Sequence, residues 1–536
     1  MAASVVTNAL GVPVLSLVLF LPGAIALLIA LGFGTDAQAR VATSVTVVVN
    51  LILALFLLAK FEWTGGTYGA NWAFQFDHKH DWISSLGITY WIGVDGISVF
   101  LVALTTLIFA VAILAATYMI ALRLRLFLMF MLFLETAVLG VFVSLNLFLF
   151  FVFWEAMLIP CYFLLGIWGE ERRVYATMKF LIYTIAGSFL MLVGIFYLWA
   201  QRGTLDMVGP NGLIAHPVSS SAQTWLFLAF GIAFAIKLPI WPFHTWAPTA
   251  YAESPIPFGI VLSGILSKAG VFGFLRYCLP LFPTASRQFA ALISILAIIG
   301  MLYAAALALV QTDIKRIVAY ASVSHMNLMA LGIFAFNPTA IDGVVLQMIN
   351  HSIIITGLFL SVAFIASRTG TRVLTELGGL GRGRPWLMWL FFVFILAGLD
   401  LPGMGSFTGE FLILAGVFRE NAWFSSVAAL TVILAAWYMI RFFQDSMNGP
   451  VTAAPQQVAV VAEDREQTEY QYPVRRRLLP GDLLPRETML FVPLILLVLY
   501  IGVQPDTLTR RMNPTTSPLS TLVQPSSTNH ALGGGR

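Results

Sequence analysis

The chain has 536 residues, 59% of them hydrophobic and 10% charged, with a net charge of +4. A soluble domain carries roughly a quarter charged residues and needs a charged surface at any size, so this composition excludes a soluble fold. The basic residues sit in short loops, not in a patch that would take nucleic acid, and two cysteines, Cys161 and Cys278, are too few for a disulfide framework, an iron–sulfur site or a structural zinc site.

The apolar residues come in uninterrupted runs of about twenty, the length that spans a bilayer at roughly 1.5 Å per residue. They predict an all-α, polytopic membrane protein of about fourteen helices, since lipid offers no partner for free backbone groups. In chain order the expected helices cover about 13–33, 41–60, 95–119, 124–144, 147–168, 175–200, 223–247, 256–280, 287–310, 315–336, 340–366, 386–416, 423–446 and 488–505. Residues 1–12 hold no Lys or Arg, so the first run reads as a retained helix, not a signal peptide. Residues 61–94, with Trp63, Trp72, Trp82 and Trp91, read as an outer interfacial loop. Residues 447–487, with five prolines and the run Arg475, Arg476, Arg477, read as an inner basic linker facing solvent, acidic headgroups or a partner protein. The tail from Thr507 is rich in Ser, Thr and Pro and reads as disordered.

Loop charge gives the orientation. With the N-terminus outside, inner loops carry sixteen Lys and Arg and outer segments eight, the bias of the positive-inside rule. Both termini are therefore expected outside, in a multi-pass protein of the cell inner (plasma) membrane.

A weak internal repeat is legible. The seventh helix contains Lys237-Leu-Pro-Ile-Trp-Pro-Phe-His244 and the twelfth contains Asp400-Leu-Pro-Gly-Met-Gly-Ser-Phe-Thr-Gly-Glu410. Both place Leu-Pro and further helix breakers in mid-span, where Pro removes a backbone bond. Five helices separate them, and an odd spacing inverts the second unit, so the expected fold holds two inverted five-helix repeats, each with a broken helix. The corresponding divisions are residues 1–122 (three helices and the outer loop 61–94), 123–280 (first repeat), 281–446 (second repeat), the linker 447–487, and 488–536 (last helix and tail).

Charge at mid-membrane depth costs about 2.5–3.5 kcal/mol per residue on insertion scales, which makes such residues functional candidates. Glu135, Glu155, Lys237, Lys268, His325, His351 and Glu410 all lie within apolar runs, each on a different helix. A row of this kind can conduct protons, each group passing one to the next directly or through water. Buried Lys and His can switch their charge; Arg holds its proton permanently. Glu155 and Lys237 form the natural counter-ion pair. The plainer alternatives are a static ion pair, histidines bonding between helices, and, for His244 and Asp400 beside the breaks, partners for freed backbone groups. There is no Walker A loop and no His-Glu-x-x-His, and the glycines at 379, 381 and 383 follow no strand. No cofactor or metal site is expected on this chain.

The runs Phe-Trp-Glu155-Ala-Met-Leu-Ile-Pro, Ala-Ile-Lys237-Leu-Pro-Ile-Trp-Pro-Phe-His244-Thr-Trp-Ala-Pro, Leu-Ser-Lys268-Ala-Gly, Asp313-Ile-Lys315-Arg316-Ile-Val-Ala-Tyr-Ala-Ser and Ser-His325-Met-Asn resemble the antiporter-like subunits of respiratory complex I over roughly residues 95–445. The same family includes subunits of multi-chain sodium/proton antiporters and membrane-bound hydrogenases, the alternative functions. The resemblance implies that Glu155 and Lys237 serve a first half-channel, Lys268 is the central relay, His325 and His351 connect, and Glu410 ends the second half-channel. Two of the three complex I paralogues usually have Lys at that last position; Glu410 resembles the middle one, and the 447–487 linker departs from the pattern. It also implies sibling antiporter-like subunits and other membrane-arm subunits as partners, alongside lipid and protons. The complex as a whole is expected to carry FMN, iron–sulfur clusters and quinone, with redox chemistry elsewhere driving the protons.

Overall fold

The computed structural model describes residues 13–32, 34–63, 74–450 and 481–523. The first helix, α1 (Val14–Ala30), leads to α2 (Asp36–Lys60). Thr35 and Gln38 open α2 with a reciprocal capping box, the Thr35 hydroxyl accepting from the Gln38 amide and the Gln38 side chain from the Thr35 amide. Strands β1 (Gln75–Ile83) and β2 (Ile88–Val94) follow, then α3 (Ser98–Met119), α4 (Leu124–Val143), α5 (Leu147–Ala156), α6 (Leu158–Trp168), α7 (Arg173–Arg202), α8 (Ser220–Lys237) and α9 (Trp246–Glu253). One continuous span, residues 256–281, is built from α10 (Ile256–Val261), α11 (Lys268–Gly273) and α12 (Leu279–Leu281), joined by π-helical turns at Leu262–Leu266 and Phe274–Cys278. The chain continues through α13 (Pro283–Val310), α14 (Ile314–Ile333), α15 (Pro338–Thr369), α16 (Pro385–Gly398), α17 (Gly405–Glu420), α18 (Ala422–Met447), α19 (Pro485–Val503) and α20 (Asp506–Val523).

Ten of these segments are long and apolar enough to cross a membrane. Four others, α1, α8 with α9, α14, and α16 with α17, occupy the remaining expected positions, so each of the fourteen predicted runs is helical. The spans are not equally wrapped by protein. The span Ile256–Leu281 is 100% buried inside the chain, Pro338–Thr369 94% and Ser98–Met119 89%, against 33% for Asp36–Lys60 and Ala422–Met447. The chain therefore has a protein-enclosed core of α3, α10–α12 and α15, and outer helices that present apolar side chains such as Ile52, Ile433 and Trp437.

Two sequence expectations are corrected. The segment expected as an outer loop contains a hairpin: β1 and β2 pair antiparallel, with His80 opposite Tyr90 and Lys79 opposite Trp91, and Gly87 turns it at φ 62. Lys79 and Thr89 both bond Asp206, at 2.8 and 2.5 Å, which ties the hairpin to the segment after α7. The tail from Thr507 is helical up to Val523 rather than disordered. α20 buries Met512, Leu519 and Val523, while Thr516 and Asn513 donate to Asp342 at the start of α15. Its apolar side finds cover on other segments, so composition alone misreads it. Of the 447–487 linker, residues 451–480 lie outside the described residues, as do Trp72, the Arg475–Arg477 run and the tail beyond residue 523. Its described end is anchored: Asp482 accepts from the amides of Trp386 and Leu387 at the start of α16, and Glu487 accepts from Arg368 at 2.5 Å.

Candidate functional site: a row of buried ionisable groups

Two helices break where the sequence places Leu-Pro. α8 ends at Lys237, and the chain turns through residues 238–245 before α9. The freed backbone groups are met by others: Asn327 of α14 donates to the Pro239 carbonyl at 3.1 Å and the Trp246 indole to the Ile236 carbonyl at 2.8 Å. α16 ends at Gly398, and Asn350 of α15 donates to the Gly405 carbonyl at 2.6 Å across the second break. The asparagines, not His244 or Asp400, hold the broken ends. His244 instead packs edge-on against Tyr303, ring centroids 5.5 Å apart, with Nδ1 unbonded.

Lys268 lies between the two π turns of the most enclosed span. A π turn shifts the backbone register and frees carbonyls, and the Lys268 ammonium donates to the Ser263 carbonyl at 2.9 Å. It also lies 2.6 Å from His351 Nδ1 on α15. The rings of His351 and His325 stand 5.6 Å apart, and a small cavity with room for about one water is lined by both. His325 Nδ1 is 2.5 Å from Glu410 Oε1, and Gln347 donates to the same oxygen at 3.1 Å. Asp400 completes the group: one ligand atom each of His325, Asp400 and Glu410 lies within 4.8 Å of the others. Lys268, His351, His325, Glu410 and Asp400 are thus a contiguous buried row contributed by α11, α15, α14, α17 and the break before it.

The first half is looser. Glu155 and Lys237, expected as a counter-ion pair, do not touch. Lys237 Nζ and Glu155 Oε1 have no hydrogen-bond partner, and the Lys237 ammonium faces the rings of Trp154 at 5.3 Å and Phe180 at 5.7 Å. Sequence depth places two residues at one height in the membrane but does not set whether their charged ends reach bonding distance. Cys161 is within electrostatic reach of Lys237, as is Glu155. Glu135 is fully buried and stands apart, accepting from Asn50 of α2 at 2.8 Å.

Gln347, Ser406 (which accepts from Gln347 at 2.9 Å), Tyr438 (which lines a small cavity with Asp400 and Glu410), Asn327 and Asn350 were missed by the sequence reading. An amide among apolar helices was a usable signal for three of them, because burying an unpaired amide is costly.

Residues 144–435 match the family described as NADH:quinone oxidoreductase/Mrp antiporter, transmembrane. The chain belongs to this family. It is 35% identical to the NADH-quinone oxidoreductase subunit M of Rickettsia prowazekii, over 93% of this chain and 97% of that one. It is 36% identical to the protein of the same name from Rhodobacter capsulatus, over 94% and 96%. A chain in the structure of respiratory complex I from Thermus thermophilus superposes with a TM-score of 0.83 at 28% identity, covering 95% of this chain and 100% of that one. The family members are multi-pass membrane proteins, and the row described above lies inside the matched region from Glu155 to Glu410.

Proposed function

We propose that the chain is the M subunit of a proton-pumping NADH:quinone oxidoreductase, moving protons through the buried row. The observation that carries this reading is the connected series Lys268–His351–His325–Glu410 set between two broken helices, in a chain that matches subunit M relatives over nearly its whole length. Every member can take up and give back a proton, and each link is a direct hydrogen bond or a gap that one water fills. Glu155 and Lys237 serve the entry half. With the two not in contact, a rotamer change that closes or opens the gap between them alters the charge state of Lys237.

In this reading 123–280 and 281–446 are two inverted half-channels, each with its broken helix. Redox chemistry lies elsewhere in the complex, on subunits carrying FMN, iron–sulfur clusters and quinone, and this chain supplies no redox site. Its partners are sibling antiporter-like subunits and other membrane-arm subunits, in the inner membrane with both termini outside.

The test is purification of the complex from native membranes and NADH-driven proton uptake in vesicles, with Glu155→Gln and Lys237→Ala. Flavin and iron co-purify, and both variants assemble but lose pumping. A normal gradient in Lys237→Ala sinks the assignment. A complex without redox centres that exchanges sodium for protons moves it to an antiporter.

A further inference from the structure

Asp400 occupies the second break with φ 61, a left-handed conformation that Asp tolerates better than most residues. Asp in such a turn ordinarily bends its side chain back to bond local backbone. Here neither carboxylate oxygen accepts a hydrogen bond from the turn, although the residue is only 6% exposed. The side chain is directed instead toward the Glu410 carboxyl and the Ser406 hydroxyl. The groups facing it from the packed elements are His325 on α14, Glu410 on α17 and Tyr438 on α18, whose hydroxyl is also unbonded. Ser324 and Thr431 line the same small cavity.

Two carboxylates at this separation, away from bulk water, cannot both ionise without a compensating charge. One imidazolium compensates one of them. The second must carry a proton or meet a cation.

We propose that Asp400 and Glu410 form a carboxyl pair holding one shared proton beside His325, and that this pair, not Glu410 alone, is the terminal proton site of the row. The proposal rests on the proton-conducting reading above. In the step it implies, Asp400 first releases the shared proton to water on the exit side, His325 then gives the Nδ1 proton to Glu410 Oε1, and Glu410 passes a proton to the vacated Asp400 carboxylate. Glu410 is then ionised again beside a neutral imidazole that can be reloaded from His351. The pair titrates as a unit.

The experiment uses intact complex carrying Asp400→Asn, Asp400→Gly, Glu410→Gln or Asp400→Asn with Glu410→Gln, reconstituted in vesicles. Asn keeps the polar shape and tolerates the backbone angle; Gly adopts it freely, so one variant survives if the other fails to assemble. The expected result is a fall in NADH-driven proton uptake of about tenfold for either Asp400 variant, the factor that one unit of mismatched proton affinity brings. The double variant is no worse than the worse single one, as for groups that act together. Infrared difference spectra of the purified complex supply the second readout. The protonated-carboxyl band of the pair is present in the wild type and lost in each single variant, because the carboxyl that remains ionises against His325. Wild-type pumping in Asp400→Asn or Asp400→Gly overturns the pair, as does a band removed by Glu410→Gln alone, or one metal ion per chain that leaves with Asp400→Asn. If Glu410→Gln itself pumps normally, the row fails and the pair with it. If only the Asp400 variants pump normally, the row stands and the pair falls.

Discussion

The link between Lys268 and His325 runs through His351, and the kind of gap left there decides what a substitution does. His351 Nδ1 is 2.6 Å from Lys268, Nε2 has no hydrogen-bond partner, and the residue lines the cavity shared with His325. His351→Leu removes both nitrogens and fills the site with hydrocarbon, so no water can bridge. His351→Ala removes the ring and opens space for about two waters at roughly 30 Å³ each, which Lys268, His325 and the Ser352 region can solvate. Either change costs the Lys268 bond, about 1.5–3 kcal/mol for a hydrogen bond to a charged group. Stability therefore falls by a similar amount in both, while conduction separates them. We expect proton uptake at least about tenfold lower in His351→Leu, the smallest contribution a positioned proton carrier makes being larger than that, and a partial recovery in His351→Ala. The assay is NADH-driven acidification in vesicles at matched complex content, with thermal stability of the detergent-purified complex as the control. Wild-type pumping in the Leu variant would refute the path through His351. Ala and Leu variants equally impaired would refute the water bridge.

Two further outcomes concern the faces of the bundle. Glu170, in the turn between α6 and α7, meets Lys315 at 2.7 Å and Arg372 at 2.6 Å. Burial alone would raise its carboxyl, but Lys315 and Arg372 outweigh burial and hold it below the usual carboxylate range. A carboxyl lowered on folding contributes stability above its unfolded value and loses it as pH falls through the folded one. Glu170→Gln should therefore lower stability at neutral pH by about 3 kcal/mol, the low end for breaking a buried pair. The gap from wild type should close as pH falls through the usual carboxylate range, where the unfolded carboxyl takes up a proton, and on through the lowered folded value; a gap independent of pH would show that the ion pairs contribute nothing. On α20, Asp342→Ala removes the acceptor for Thr516 and Asn513 and should raise proteolysis within Asp506–Val523, each lost bond being worth about 1 kcal/mol. Unchanged cleavage would mean that the apolar contacts of Met512 and Leu519 hold the helix alone.

The spans were legible because lipid leaves the backbone a single choice, and hydropathy records that choice residue by residue. The breaks after Lys237 and at Asp400 were legible for a related reason: Leu-Pro in mid-span removes a backbone bond wherever it occurs. What the sequence did not hold was azimuth. Glu155 and Lys237 sit at comparable depth, yet they do not meet, whereas Lys268 and His351, 83 residues apart, meet at 2.6 Å. The hairpin was hidden because its alternation over Gln75–Ile83 mixes His, Lys and Asp with aromatic residues that also suit an interface. α20 was hidden because Ser, Thr and Pro dominate its composition, while the few apolar residues that dock it fall on one side of a helix.

Pairing then separates two uses of buried charge in one membrane protein. Arg keeps its proton in any protein environment, so a buried Arg must be compensated permanently. Arg276 has Asp95 at 2.8 Å, and Arg368 has Glu487 at 2.5 Å, all four side chains at most 4% exposed. These pairs fix the core span and the start of α19 in place. Lys237 and Lys268 are as deeply buried, yet among the described residues neither has a carboxylate within ion-pair distance. Lys237 has aromatic faces and Lys268 a histidine, a serine carbonyl and a distant hydroxyl. Lysine can give up its charge where arginine cannot, so leaving it unpaired is tolerable only for the residue that can be neutral. A scaffold with no proton traffic would gain nothing from burying Lys237 and Lys268 without fixed counter-charges. Lys315 keeps a fixed carboxylate in Glu170, so what a switchable row requires is seen in its own lysines, Lys237 and Lys268, left without one beside arginines that are paired.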